Sequence, residues 1–206
     1  MSISLHRHRG LALLVAAAIG GAGLAGSAAA QQADPAGQVV EALDSALLAT
    51  MKAQGGEGPR AHIVAPAIDR AFDLPLMTRL SVGPAWASFT PAEQQGVISA
   101  FRAMTVAQYA RNFEGWSGQR FAFAAPVETR GGDKLVRTQL ISPSGDTEAL
   151  GYRLRMSGGS WKIIDVYYRN AISQLATRRS DFAGVLAKGG ARALIQHLNA
   201  LAASGK

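Results

Sequence analysis

The chain has 206 residues, with 21 Lys plus Arg against 14 Asp plus Glu, and it has no cysteine. That excludes a disulfide framework, a thiolate nucleophile, a Cys-ligated metal or cluster and a lipid-attachment cysteine. Apolar residues make up 48% and charged residues 17%, too apolar a balance for a disordered chain.

Residues 1–30 read as a secretory signal. His6-Arg7-His8-Arg9 is a short basic start, Leu11 to Ile19 is an apolar run, and the segment ends on the small residues Ala28-Ala29-Ala30. The apolar run falls short of the ~20 residues that span a bilayer. His8 separates Arg7 from Arg9, so the twin-arginine pair is absent and export of the unfolded chain is favoured. Cleavage is expected after Ala30, which leaves residues 31–206 as one basic domain able to bury its own core. The positive balance permits attraction to anionic lipid or to an acidic partner. Nucleic acid is a poor partner, because the arginines are scattered and export removes the protein from the cytoplasm.

Asp34-Pro35 marks a helix start, an N-cap acid followed by Pro at the first helical position. Val39, Val40, Leu43, Leu47 and Leu48 follow at helical spacing, and the helix stops before Gly55-Gly56. A shorter helical piece covers His62 to Phe72. Asp73 caps a third, carrying Leu74, Leu76, Met77 and Leu80 and closed by Gly83-Pro84. Thr90-Pro91-Ala92-Glu93 is a capping box that opens the longest helix, expected to run to about Glu114. Its apolar residues Val97, Ile98, Phe101, Met104, Tyr109 and Phe113 cover a wide arc, as suits a helix facing a thick apolar interior.

After Gly118 the period changes to two. Runs 119–129, 133–142, 147–156 and 161–169 read as strands joined at Gly131-Gly132, Ser144-Gly145-Asp146 and Gly158-Gly159. Short Gly-rich loops force antiparallel hairpins, so a four-stranded meander follows. Two- and three-residue loops pair Leu154 with Ile163, Tyr152 with Asp165, Arg153 with Ile164, Thr138 with Tyr152, Leu140 with Leu150, Phe123 with Leu140 and Val127 with Val136. One sheet face then holds Phe123, Leu140, Leu150, Tyr152, Leu154, Met156, Trp161 and Ile163. The other holds Arg137, Arg153, Arg155 and Lys162. The chain closes with helical spacing at Ile172, Leu175, Phe182, Val185 and Leu186, a break at Gly189-Gly190, and a last helix from Ala191 to Ala203. The expected fold class is α+β, a four-stranded antiparallel meander with one face covered by N- and C-terminal helices around an apolar pocket.

Catalytic signatures are missing. His62 and His197 have no second His or acid at metal-ligand spacing. There is no Gly-x-Ser-x-Gly, no phosphate-cradling loop and no dinucleotide fingerprint. One polar pair carries two readings. Asp165, set opposite Tyr152 on the apolar face, is either a general base in an apolar site or a ligand for a helix start or loop N–H groups.

Trp161-Lys-Ile-Ile-Asp165-Val166, Ile172-Ser173, Arg178-Arg179-Ser180-Asp181-Phe182, Gly190 and Leu194-Ile195…Leu198 together resemble the toluene-tolerance family of MlaC-type periplasmic lipid-binding proteins. Upstream, Phe72-Asp73 to Leu76, Gly83, Trp86 and the Thr90-Pro91 helix with Phe101 and Tyr109 extend the likeness, which spans nearly all of residues 36–203. The run from Ile172 to Arg179 looks most like the hopanoid-associated branch. Ala171 departs from the pattern, which usually has Gly before the aliphatic-Ser pair.

The resemblance implies a non-enzymatic shuttle without a cofactor. Its pocket would take the acyl chains of a phospholipid, or a hopanoid, and leave the headgroup near solvent. It also implies an inner-membrane lipid transporter and an outer-membrane lipoprotein complex as partners, or an exporter of the resistance-nodulation type for the hopanoid branch. Expected pocket walls are Phe72, Leu76, Leu80, Trp86, Phe101, Met104, Tyr109, Phe123, Leu140, Tyr152, Leu154, Ile163 and Leu175. Two other functions fit the residues. One is a cavity enzyme with Asp165 as base and Tyr152 as donor. The other is an adaptor whose basic sheet face docks an acidic partner.

Overall fold

The computed structural model describes residues 34–204, so the signal-peptide reading of residues 1–30 lies outside the described residues. Helix α1 (Pro35–Lys52) starts as its cap dictates, with the Asp34 carboxylate accepting from the Ala36 N–H at 2.9 Å. Its buried stripe includes Val40, Leu43, Asp44 and Leu47. Helix α2 (Glu57–Ala71) begins five residues ahead of the expected His62. Gly58-Pro59 reads as a turn, but a Pro in the first helical turn needs no N–H partner. Two arginines hold the added turn to the end of a later helix: Arg111 pairs with Glu57 at 3.0 Å, and Arg60 donates to the Ala110 carbonyl at 2.7 Å.

Helix α3 (Leu74–Val82) carries the expected Asp73 cap, which accepts from the Leu76 N–H at 3.0 Å. A 3₁₀ turn, Gly83–Ser88, links it to helix α4 (Pro91–Asn112). Both halves of the α4 capping box form. Gly96 lets α4 approach the C-terminal helix closely, since a Cβ there would lie 2.9 Å from Ile195 Cδ1.

The sheet has six strands rather than four. The first run divides into β1 (Arg120–Phe123) and β2 (Glu128–Arg130), both on the same edge of β3 (Asp133–Ile141). The break contains Pro126, which cannot donate to a ladder. Strands β4 (Thr147–Ser157) and β5 (Ser160–Tyr168) continue the meander, and β6 (Ile172–Ser173) adds two residues at the far edge. In place of the expected Gly, Ala171 closes a tight turn by donating from its N–H to Tyr168 O at 3.2 Å. The left-handed backbone falls on Arg169 and Asn170 instead.

Three registers differ from expectation. Ser142 N–H donates to Asp146 O, so the β3–β4 loop has five residues, and Val136, not Thr138, stands opposite Tyr152. On the other side of β3, Phe121 takes the place opposite Leu140, and Phe123 meets Thr138. Both shifts are by two residues and therefore keep every side chain on its expected face. The third changes faces. Leu154 pairs with Ile163 as expected, but Arg153 pairs with Asp165 and Tyr152 with Val166. Ile164 is the extra residue of a β-bulge, which turns Asp165 away from Tyr152 and brings Val166 onto the inner face.

Asp165 is buried and accepts three hydrogen bonds. They come from the Val166 N–H at 2.8 Å, the Ser173 hydroxyl at 2.6 Å and the Leu175 N–H at 3.0 Å. Ser173 in turn caps helix α5 (Gln174–Ala203) by accepting from the Ala176 N–H at 3.0 Å. Asp165 thus fixes the start of α5. The helix kinks at Gly189-Gly190, where Gly190 has φ +57°. The hydrophobic core joins α1 through α5 to the inner face of β3, β4 and β5, with Leu154, Ile163, Phe101 and Leu194 all fully buried.

One ionisable group sits inside that core. Asp44 is buried on α1, facing the hydroxyls of Tyr152 and Thr138, and one of its carboxylate oxygens has no partner among the described residues. Burial raises its pKa well above the usual carboxylate value.

Two outcomes follow from these buried carboxylates. Asp165→Ala removes three acceptor contacts and should lower the unfolding free energy by about 2–3 kcal/mol in denaturant titration. Asp44 has a folded pKa above its unfolded one, so its protonated form suits the fold. Its contribution is fully present below the unfolded pKa near 3.8 and is lost as pH rises through the raised folded value. Asp44→Asn should therefore be more stable than the natural chain at pH 7, with the gap closing toward pH 4 in thermal melts.

Candidate functional site

A cleft of about 590 Å³ opens between the inner sheet face and helices α3, α4 and α5. Helix α4 presents Phe101, Thr105, Gln108, Tyr109 and Asn112 to it, a single face generated by steps of three and four. The sheet supplies alternate residues: Leu150 and Tyr152 from β4, Val166 and Tyr168 from β5. Phe72, Met77 and Ser81 close one side. Gln174, Leu175 and Arg178 complete the wall from the first turns of α5.

The aromatic side chains are braced against each other. Tyr109 stacks on Phe113 at 5.6 Å between ring centres and meets Phe72 edge-on, also at 5.6 Å. Phe101 packs edge-on against buried Phe182 at 6.4 Å. Such geometry favours aromatic pairs by about 0.5–1.5 kcal/mol beyond simple burial. Burial pushes the Tyr109 hydroxyl above its usual pKa, and burial followed by the nearby Asp44 does the same for Tyr152. Both phenols stay neutral through the physiological range.

Of the thirteen expected wall residues, Phe72, Phe101, Tyr109, Leu140, Tyr152 and Leu175 line the cleft. The other seven lie off its wall. Met104, Leu154 and Ile163 are fully buried in the core behind it. Phe123 packs beside that core from β1, next to the sheet edge. Leu76 and Leu80 are half-buried on α3, and Trp86 lies against Phe89 in the 3₁₀ turn. Apolar character alone cannot separate a wall from the packing that supports it.

Sequence reasoning also left out Ser81, Thr105, Gln108 and Arg178, because it admitted only apolar side chains as walls. The signal was present: Thr105 and Gln108 continue the Phe101 face of α4, and Arg178 lies three residues beyond Leu175. Val166 and Tyr168 were hidden by the bulge.

The enzyme reading loses its pair of residues, while the expected basic sheet face forms with its cations in contact with acceptors. Asp165 faces backbone N–H groups and Ser173, not Tyr152, so the pair proposed for a cavity enzyme does not form. On the outer sheet face, Arg153 and Arg155 both donate to Asp133, at 2.6 Å each, while Arg137 and Arg130 pair with Glu128. Arg155 foremost holds the Asp133 carboxyl below its usual pKa. Lys162 donates to the Arg70 carbonyl. Each cation of the expected docking face already has an acceptor. No group of His, Asp and Glu placed to hold a metal exists among the described residues, and no helix there is long and apolar enough to cross a membrane.

Comparison with curated protein sequences gives no match. Among solved structures, the chain is similar to a phospholipid-binding protein from Ralstonia solanacearum determined in complex with a phospholipid. The two share 26% identity and a TM-score of 0.72, over 82% of this chain and 98% of that one. The family model described as MlaC protein matches residues 39–200, and the chain belongs to that family.

Proposed function

We propose that this chain is a soluble periplasmic lipid carrier, non-enzymatic and without a cofactor. It binds the apolar part of a phospholipid or hopanoid and shuttles it between membrane complexes. The leader is removed after Ala30, and residues 31–206 act as a single lipid-binding domain. Its partners are an inner-membrane lipid transporter and an outer-membrane lipoprotein complex.

The observation that carries this reading is the aromatic-lined cleft of about 590 Å³ between sheet and helices. Family membership and the phospholipid held by the Ralstonia relative support it. The physics agrees. Each CH₂ taken from water into such walls gains roughly 0.8 kcal/mol, which is non-directional and reversible by transfer to another apolar surface. A carrier that must release its cargo suits walls of that kind, with few polar contacts to break.

Native mass spectrometry of the chain purified from the periplasm, followed by solvent extraction, should show one lipid-sized adduct per chain and identify it as phospholipid or hopanoid. Protein that is folded but free of extractable lipid would sink the reading. Leu150→Arg, on the wall, should abolish the adduct while leaving the melting temperature nearly unchanged. Leu154→Ala, in the core behind, should cost about 2–5 kcal/mol of stability yet retain the lipid in the folded fraction.

A further inference from the structure

Arg178 is out of keeping with its surroundings. It lines the apolar cleft from the second turn of α5, with its guanidinium over the Phe101 ring at 4.9 Å from the centre. Its one hydrogen bond goes to Gln108 Oε1 at 2.7 Å, and among the described residues it forms no ion pair. The other enclosed arginines of the helical layer are better satisfied. Arg111 takes Glu57 and the Leu201 and Ala202 carbonyls, and Arg60 takes Glu114 and the Ala110 carbonyl. A guanidinium has five N–H donors, so most of those on Arg178 are uncommitted.

Asp165 and Asp181 act on Arg178 only through space, without direct contact. Burial disfavours its charge, yet a guanidinium stays protonated in a protein. A cation in that state gains most from an anion brought to it within the same low-dielectric space. Ser81 offers a second polar group on the cleft wall: its side chain is fully buried, and its hydroxyl has no partner among the described residues. Glu148 is the one carboxylate on the wall, and it sits exposed, away from any ion pair with Arg178.

We infer that Arg178 is the anchor for an oxyanion of the bound amphiphile, a phosphate diester or a carboxylate, with the apolar chains in the aromatic part of the cleft. This rests on the carrier reading and deepens it. Apolar walls bind any greasy molecule of suitable size. A fixed guanidinium makes the site select an amphiphile bearing an anionic oxygen over a neutral one with the same chains. Phe101 and Gln108 hold the guanidinium plane in place, so little rotamer freedom is lost when the anion arrives.

The test compares dissociation constants, by displacement of a fluorescent fatty acyl probe, for two matched pairs: dioleoyl phosphatidylglycerol against dioleoylglycerol, and palmitate against hexadecanol. The natural chain should prefer the anionic member of at least one pair by roughly 10- to 100-fold. Preference in the first pair alone assigns the site to phosphate, and in the second alone to carboxylate. Arg178→Gln should abolish the preference by weakening the anionic member at least tenfold more than the neutral one, and Arg178→Lys should restore part of it. Equal affinity for both members of both pairs in the natural chain overturns the inference and spares the carrier. So does a preference that survives Arg178→Gln. Loss of neutral and anionic lipid together in a variant that melts normally means Arg178 only braces α5, and also overturns it. A natural chain that binds none of the four overturns the carrier reading and this one with it.

Discussion

The Asp165 carboxylate sets where the C-terminal helix begins, and the cleft takes one of its walls from that position. The β-bulge at Ile164 moves Asp165 off the inner face, so its two oxygens reach the Val166 and Leu175 N–H groups and the Ser173 hydroxyl. A helix start has free N–H donors that must find acceptors. Here the acceptors are Asp165 and the Ser173 cap, both tied to the sheet edge. Gln174, Leu175 and Arg178 then fall on the side facing α4 and β4. Without the bulge, the carboxylate would point into the cleft and the first turn of α5 would lack its anchor.

The same bulge explains how a sheet can serve two purposes along one strand. Ile163, before it, is buried in the packed core with Leu154. Val166 and Tyr168, after it, border open space. Behind the wall, Met104 and Leu154 are close-packed in the core cluster. The lining rings brace one another and the core: Phe72 meets Tyr109, Tyr109 meets Phe113, and Phe101 meets buried Phe182. Rigid rings braced in this way resist collapse into the space before them, where flexible aliphatic side chains would fill it.

Much of the fold was legible in the sequence because it is written in local chemistry. Asp34, Asp73 and Thr90 cap their helices, and Gly189-Gly190 interrupts the last one, as their residue types dictate. The sheet faces survived two register shifts because both were even. The bulge was not legible: an inserted residue leaves no mark in a run such as Trp161-Lys-Ile-Ile-Asp165-Val166, where apolar residues stand on both faces. The early start of α2 was not legible locally: the ion pair that secures it joins Glu57 to Arg111, 54 positions away. Three of the thirteen expected wall residues, Met104, Leu154 and Ile163, lie in the packed core behind the cleft, since an apolar residue in a core and one beside a cleft look the same in a pattern.

The functional reading depends on how the polar groups are distributed over the molecule. Outside the cleft, several carboxylates sit in ion pairs: Asp133 takes two arginines, Glu128 takes two more, and Asp69 takes Arg102. Inside it, the walls are mostly aromatic and aliphatic, the Ser81 hydroxyl has no partner among the described residues, and Arg178 makes one hydrogen bond. A guanidinium with a single hydrogen bond beside apolar walls suits a molecule with both characters. Hydrophobic contact supplies affinity without direction, so the cargo can leave as it came. On the proposed reading, the guanidinium would supply direction by setting which end of an amphiphile lies against α5. On the proposed carrier reading, transfer between two apolar environments would cost one charge-assisted contact, which a second cationic or hydrogen-bonding surface could replace.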